Sequence, residues 1–194
     1  MKHEYGAAPL NLDLTYRLCD FIAGFRYDDL PDGVVHEARR GILDWLGCAL
    51  AGSRHDTIST LLDVLGTVSG GQQSTVIARG MKLGVIEAAM ANGQMGHLLD
   101  FDDTHMGGVI LHASSPILAA LFALSEIRPI SGRDFIAAYV AGFEAGVRVG
   151  QSAPAHHDGG WHLTGTLGTI AAGVASARLL GLSARQTTHA AGIA

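Results

Sequence analysis

Apolar residues recur along this chain at intervals of three and four, segment after segment, and almost nowhere at intervals of two. Leu14, Leu18, Phe21, Ile22 and Phe25 set the pattern. It fits one face of an α-helix and excludes a β-sandwich or barrel. The punctuation agrees. Pro31 or Asp32 opens a second helix that Gly52 closes, and Asp56 is placed to cap a third running to about Val68 before Gly70-Gly71. Ser74–Ala78 is the one strand-like stretch. A helix from about Val85 to Leu99 follows, and Ser115-Pro116 opens the next, proline suiting a first turn. Ser131 with Asp134 and Ser183 with Gln186 resemble capping boxes, the first opening a helix to about Val149 and the second the last helix. Between them another helix is expected from Thr164 to Leu180. The expected fold is all-α, a bundle of about eight helices over residues 12–194, after a tail at 1–11. The last helix stops at Ala194 in mid-pattern, so the chain is expected to be the front part of something longer, or one of two polypeptides.

Charge sharpens this. Only 16% of residues are charged against 48% hydrophobic, where about 25% charged is usual. Helices are therefore expected to be covered on several sides. Segment Gly41–Leu50 is nearly all apolar and expected to be central, and the runs Ile117–Leu124 and Ile136–Phe143 suggest a homo-oligomer. Ala137, Ala141 and Ala145, with Ala171 and Ala175, read as close helix packing. The net charge of −5 and the lack of any Lys/Arg run argue against a nucleic-acid or membrane-surface partner. No run reaches the roughly 18 apolar residues of a membrane span, and no signal peptide is visible. Cys19 and Cys48 sit in helical patterns as small core residues. A cytoplasmic protein is expected.

Two constellations depart from this bland background. The first is His97-Leu98-Leu99-Asp100-Phe101-Asp102-Asp103-Thr104-His105, with His112 seven residues on, across a loop containing Gly107-Gly108. His97 and Asp100 stand three apart, as on one helix face. A carboxylate beside an imidazole orients the ring and raises its basicity, as acid–base chemistry requires. Acids at a helix C-terminus oppose the dipole, so the cluster is not simple capping. A solvated helix end is one alternative. A metal site is another, because Asp and His are ligands, but H-E-x-x-H, an EF-hand loop and a cysteine pair are all lacking; no metal and no cofactor are expected. The second constellation, His156-His157-Asp158-Gly159-Gly160-Trp161-His162-Leu163-Thr164-Gly165-Thr166, precedes a helix whose free N–H groups suit a carboxylate. His162 stands at that end, with Thr164 and Thr166 able to cap or to hydrogen-bond. His156 and His157 read as loop residues.

Together, Asn92-Gly93, His97, Asp100-x-Asp102-Asp103-Thr104-His105 and His112-x-Ser114 resemble the signature of the MmgE/PrpD family, which includes 2-methylcitrate dehydratase, cis-aconitate decarboxylase and iminodisuccinate epimerase. Asp44-x-x-Gly47, Ala51-Gly52, Gly160-Trp161-His162 and Thr164-Gly165-Thr166-Leu167-Gly168 also match its pattern. The resemblance implies an all-helical main domain, a smaller α+β lid domain that this chain lacks, and a homodimer. It implies a site containing His112, Asp100, His162 and Thr104: His112 moving a proton at a substrate carbon, Asp100 supporting it, Thr104 and His162 holding carboxylates or helping proton transfer. Thr104, His105 and Thr164 are the candidate substrate contacts; Asp102 and Asp103 are expected mainly to shape the helix end. Ala113 stands where the family often has proline. The family's lysines lie further downstream, and this chain has only Lys2 and Lys82.

The expected activity is cofactor-independent, lyase-type acid–base chemistry on a small di- or tricarboxylate, of the 2-methylcitrate dehydratase kind. Epimerisation or decarboxylation within the same family, a non-catalytic helical subunit and a metal hydrolase are the alternatives. A polycarboxylate needs cationic or N–H partners to offset desolvation, so a partner chain or C-terminal half is expected to bring the cationic wall.

Overall fold

A computed structural model describes residues 12–194; the expected tail at 1–11, with Lys2, lies outside the described residues. Eight α-helices follow one another: α1 Leu12–Gly24, α2 Asp32–Gly52, α3 Asp56–Val68, α4 Val85–His97, α5 Ser114–Ser125, α6 Gly132–Ser152, α7 Leu163–Leu179 and α8 Ala184–Ile193. The fold is all-α. The one sheet among the described residues is an antiparallel hairpin, β1 Ser74–Val76 with β2 Met81–Leu83. Strand β2 was not expected from the sequence: three residues are too few to show a period. What fixes the hairpin is tertiary. Buried Asn92 on α4 accepts from Ile77 N–H and donates to the Thr75 carbonyl, while Glu126 accepts from Thr75 N–H and pairs with Lys82.

Helix limits follow local chemistry. Ser183 and Gln186 form a full capping box on α8, and Ser131 accepts from Asp134 N–H at the start of α6. The cap of α3 is His55, whose Nδ1 accepts from Thr57 N–H, and not Asp56, which is already the first helical residue. No candidate span for a membrane occurs among the described helices.

Helix α5 is the hub. Ile117, Leu118 and Leu121 are fully buried against α4, α6 and α7. The apolar run in α5, read in the sequence as a sign of homo-oligomerisation, is spent inside the chain. Likewise only one side of Gly41–Leu50 is central, since Trp45 and Ala49 are fully buried while Leu43 and Leu50 stand largely exposed. Cys19 and Cys48 are buried free thiols.

Small residues set the helix spacing. A Cβ on Gly142 of α6 would lie 2.6 Å from Ala175 Cβ and 2.9 Å from the Ala171 carbonyl on α7. A Cβ on Gly96 of α4 would collide with the Trp45 indole, which stacks on Phe122 and donates from Nε1 to Ser115 Oγ at 3.1 Å. Gly47 of α2, by contrast, faces open space. Gly96→Ala is therefore expected to cost about 1–3 kcal/mol through overpacking, while Gly47→Ala should be neutral or stabilise by up to about 1 kcal/mol through helix propensity. Urea unfolding of the two variants checks the contrast; equal effects would contradict the packing described.

Candidate active site

The link between α4 and α5 carries the first constellation. Helix α4 ends at His97, and the chain reverses at Asp100, which adopts a left-handed conformation (φ 56°). Aspartate tolerates that region better than most residues. After this turn Asp100 is not the carboxylate that His97 bonds. His97 instead meets Asp102, five residues on, with Nδ1 3.0 Å from one carboxylate oxygen and 3.3 Å from the other. The side chain of Asp102 is fully buried.

His112 arrives at the same carboxylate from the other side. Residues 105 and 111 pair as a short antiparallel bridge across the Gly107-Gly108 turn, where Gly108 has φ 86°. His112 N–H donates to Thr164 Oγ1 on α7 at 3.1 Å. Its Nδ1 lies 3.1 Å from the Asp102 carbonyl and 3.4 Å from the Asp102 carboxylate, with Thr104 Oγ1 at 3.3 Å. A carbonyl only accepts, so Nδ1 carries the proton and Nε2 is left as the basic nitrogen. That Nε2 sits 3.6 Å from the Asp100 carboxylate. The rings of His97 and His112 are 4.8 Å apart, and His162 at the start of α7 lies 5.9 Å from His97. Two imidazoles thus share one buried carboxylate through Nδ1, and a third, His162, lies beside His97.

Of the residues singled out in the sequence, the structure brings His112, Asp100, Thr104, Thr164 and His162 into this neighbourhood. His105 is turned away: its Nδ1 faces the Val109 carbonyl at 2.7 Å and its ring meets Phe143 edge-on. Two residues carry more than the sequence reading gave them. Asp102, expected mainly to shape the helix end, is the shared carboxylate, and His97 is one of its two rings. The i,i+5 pairing of His97 and Asp102 follows no helical rule and depends on the turn at Asp100.

A cavity of about 390 Å³ opens beside these rings, lined by His97, His162, Thr164, Gly165, Gln94 and Ser115 among others; no Lys or Arg among the described residues lines it. A larger cavity, about 780 Å³, lies on the other side of the acidic segment and is lined by Asp44, Phe101, Asp103 and Tyr139. None of the three clustered imidazoles lines it, so the smaller cavity is the candidate site.

Behind the site, Asp44 on α2 accepts from Asp103 N–H at 3.1 Å. Burial raises the Asp103 pKa above its ordinary 3.8; Asp102 and Asp44 add to this, and the Ser114 hydroxyl works against it. Burial, followed by the charges of Asp44, Asp102 and Asp103, also pushes the Cys48 thiol up to about 11, so it stays protonated at neutral pH.

These features define a class: an all-helical domain that gathers histidines on a buried carboxylate, with no Lys or Arg among the described residues lining the adjoining cavity. The MmgE/PrpD N-terminal domain matches residues 16–194, and the chain belongs to the MmgE/PrpD family. It is 33% identical over 191 residues to the cis-aconitate decarboxylase-like protein oryM of Aspergillus oryzae, covering 94% of this chain and 39% of that protein. It is 33% identical over 188 residues to the cis-aconitate decarboxylase of Aspergillus terreus, with 93% and 38% covered. Against the mouse cis-aconitate decarboxylase it is 30% identical over 190 residues, again with 93% and 38% covered. The chain spans about two fifths of the length of these curated relatives.

A raised carboxylate pKa in the folded state favours folding below the unfolded value and loses that contribution as pH rises through the folded value. Asp103→Asn is thus expected to match the parent in thermal stability at pH below 3.8 and to gain on it as pH rises toward neutral. Melting curves across that range check this; a constant difference would contradict it.

Proposed function

We propose that this chain supplies the acid–base wall of a cofactor-independent lyase acting on a small di- or tricarboxylate. The observation that carries the reading is the Asp102 carboxylate under the Nδ1 atoms of His97 and His112, which leaves each Nε2 for proton transfer, that of His112 3.6 Å from Asp100. Asp102 is the positioning residue. His112 is the proton carrier, Asp100 supports its ring, and His97 and His162 stand ready as a second acid or as carboxylate contacts. Thr104 holds the His112 ring. Thr164 holds the His112 backbone at the first turn of α7, where unpaired N–H groups and the helix dipole favour a substrate carboxylate.

Decarboxylation of a cis-aconitate-like acid is the preferred reaction, supported by the names of the relatives. In that step the bond to the departing carboxyl breaks and CO2 leaves. The electron pair left behind spreads through the double bond toward a remaining carboxylate, and protonated His112 gives its Nε2 proton to carbon. The ring recovers its proton from water. Dehydration of the 2-methylcitrate kind and epimerisation of iminodisuccinate use the same carbanion-like intermediate, reached by proton removal. The substrate's own carboxylates are the electron sink, which is why the reading includes no cofactor. Its negative charge needs partners, and no Lys or Arg among the described residues lines the cavity. The proposal therefore includes a cationic wall brought by other residues of the assembly, from a second copy or from chain beyond this domain.

The test is turnover of cis-aconitate, 2-methylcitrate, citrate and iminodisuccinate by the longest native form of the protein. His112→Ala is expected to lower kcat by about 10²–10⁴-fold, with Asp102→Asn also reducing it. Full turnover by His112→Ala on an active substrate, or inertness toward all four acids, would sink the reading.

A further inference from the structure

We infer that His97, Asp100 and His112 form a binding site for a divalent first-row transition-metal ion of the zinc class. Each offers one ligand atom, and these atoms lie within 4.8 Å of one another. Zinc bonds of about 2.0–2.2 Å to nitrogen and oxygen put tetrahedral ligands roughly 3.3–3.5 Å apart. The His112 Nε2 to Asp100 carboxylate distance is 3.6 Å, so that edge needs only a small closure. Asp100 can provide it: its side chain is 80% exposed and sits on a turn, free to swing toward the rings.

The surroundings fit an ion as well as the ligands do. Histidines that hold metals characteristically donate their other ring N–H to a carboxylate or a carbonyl, which fixes the ring and strengthens it as a ligand. Here both acceptors come from one residue. The Asp102 carboxylate faces His97 Nδ1 and the Asp102 carbonyl faces His112 Nδ1. With neutral rings, Asp100 and Asp102 supply two negative charges, enough to balance a dication, and no Lys or Arg among the described residues lines the neighbouring cavity to repel it. Of the three ligands His97 lines that cavity, from which water or a substrate oxygen could come as a fourth ligand. Two imidazoles and one carboxylate favour zinc, cobalt or nickel over magnesium and calcium, which prefer all-oxygen sets.

An ion held there occupies the lone pairs that proton transfer by His112 would use. On the lyase reading, metal binding and turnover by free imidazole exclude one another, making the ion a brake on the site. Only this consequence rests on that reading; binding itself does not.

The experiment uses the full chain, prepared without a histidine tag and stripped with a chelator, and titrated with Co2+ while visible d–d absorption is recorded, then with Zn2+ in competition. The expected result is one Co2+ per chain in a low-symmetry site, displaced by Zn2+ and untouched by excess Mg2+. Asp102→Asn should weaken binding by about 10–100-fold. Asp100→Ala, its fold checked by circular dichroism because residue 100 is left-handed, should weaken it at least about tenfold, one ligand in three being lost. A variant with both His156 and His157 changed to Ala should bind as the parent does. A parent chain with no saturable cobalt band overturns the site, as does binding that survives Asp100→Ala or is lost with His156 and His157. Because the readout uses no substrate, an inert enzyme assay leaves this test intact.

Discussion

One buried carboxylate organises this domain's chemistry. Asp102 has lost all solvent on its side chain, and an unpartnered carboxylate there would be expelled or protonated. It keeps its place because two imidazoles converge on it, His97 from the last turn of α4 and His112 from beyond the loop. The demand runs both ways: the acid needs the rings for hydrogen bonds, and the rings take their orientation from the acid. The segment around it is tied from three further directions, by Asp44 of α2 on Asp103 N–H, by Thr164 of α7 on His112 N–H, and by Thr104 on the His112 ring.

Such a loop works only if the helices beneath it are fixed to fractions of an ångström. Small residues do this. Gly142 against Ala175 and Ala171 sets α6 on α7, and Gly96 under the Trp45 indole sets α4 on α2. The backbone then stands close enough for Thr164 at the start of α7 to reach His112 N–H just before α5. Packing and site geometry are therefore one problem: thickening either contact would move the wall on which His112 is hung.

The helices were legible because each solves its own local problem. A 3.6-residue stripe, a serine cap or a closing glycine is written in adjacent positions, and α2, α6 and α8 begin where those signals say. The hairpin was half legible: β1 has a strand-like run, whereas β2 exists because Asn92 and Glu126 reach it from elsewhere in the chain. The site was legible as a cluster and illegible as a circuit. Spacing paired His97 with Asp100, but the left-handed turn at Asp100 hands that role to Asp102. His105 looked like part of the wall, yet its own tight loop captures its ring. Local rules carry no information about a five-residue pairing across a broken helix end.

The two tryptophans are differently placed, which gives the molecule an internal pair of lamps. Trp45 is sealed between α2, α4 and α5 against Phe122, whereas Trp161 is 59% exposed and lies flat on His156, one residue before His162. The first should emit as an indole in hydrocarbon and the second as one in water, dimmed when its imidazole partner is protonated. Colour thus separates the fate of the helical core from that of the mouth beside it, and a change in one without the other would distinguish movement at the opening from loss of the fold.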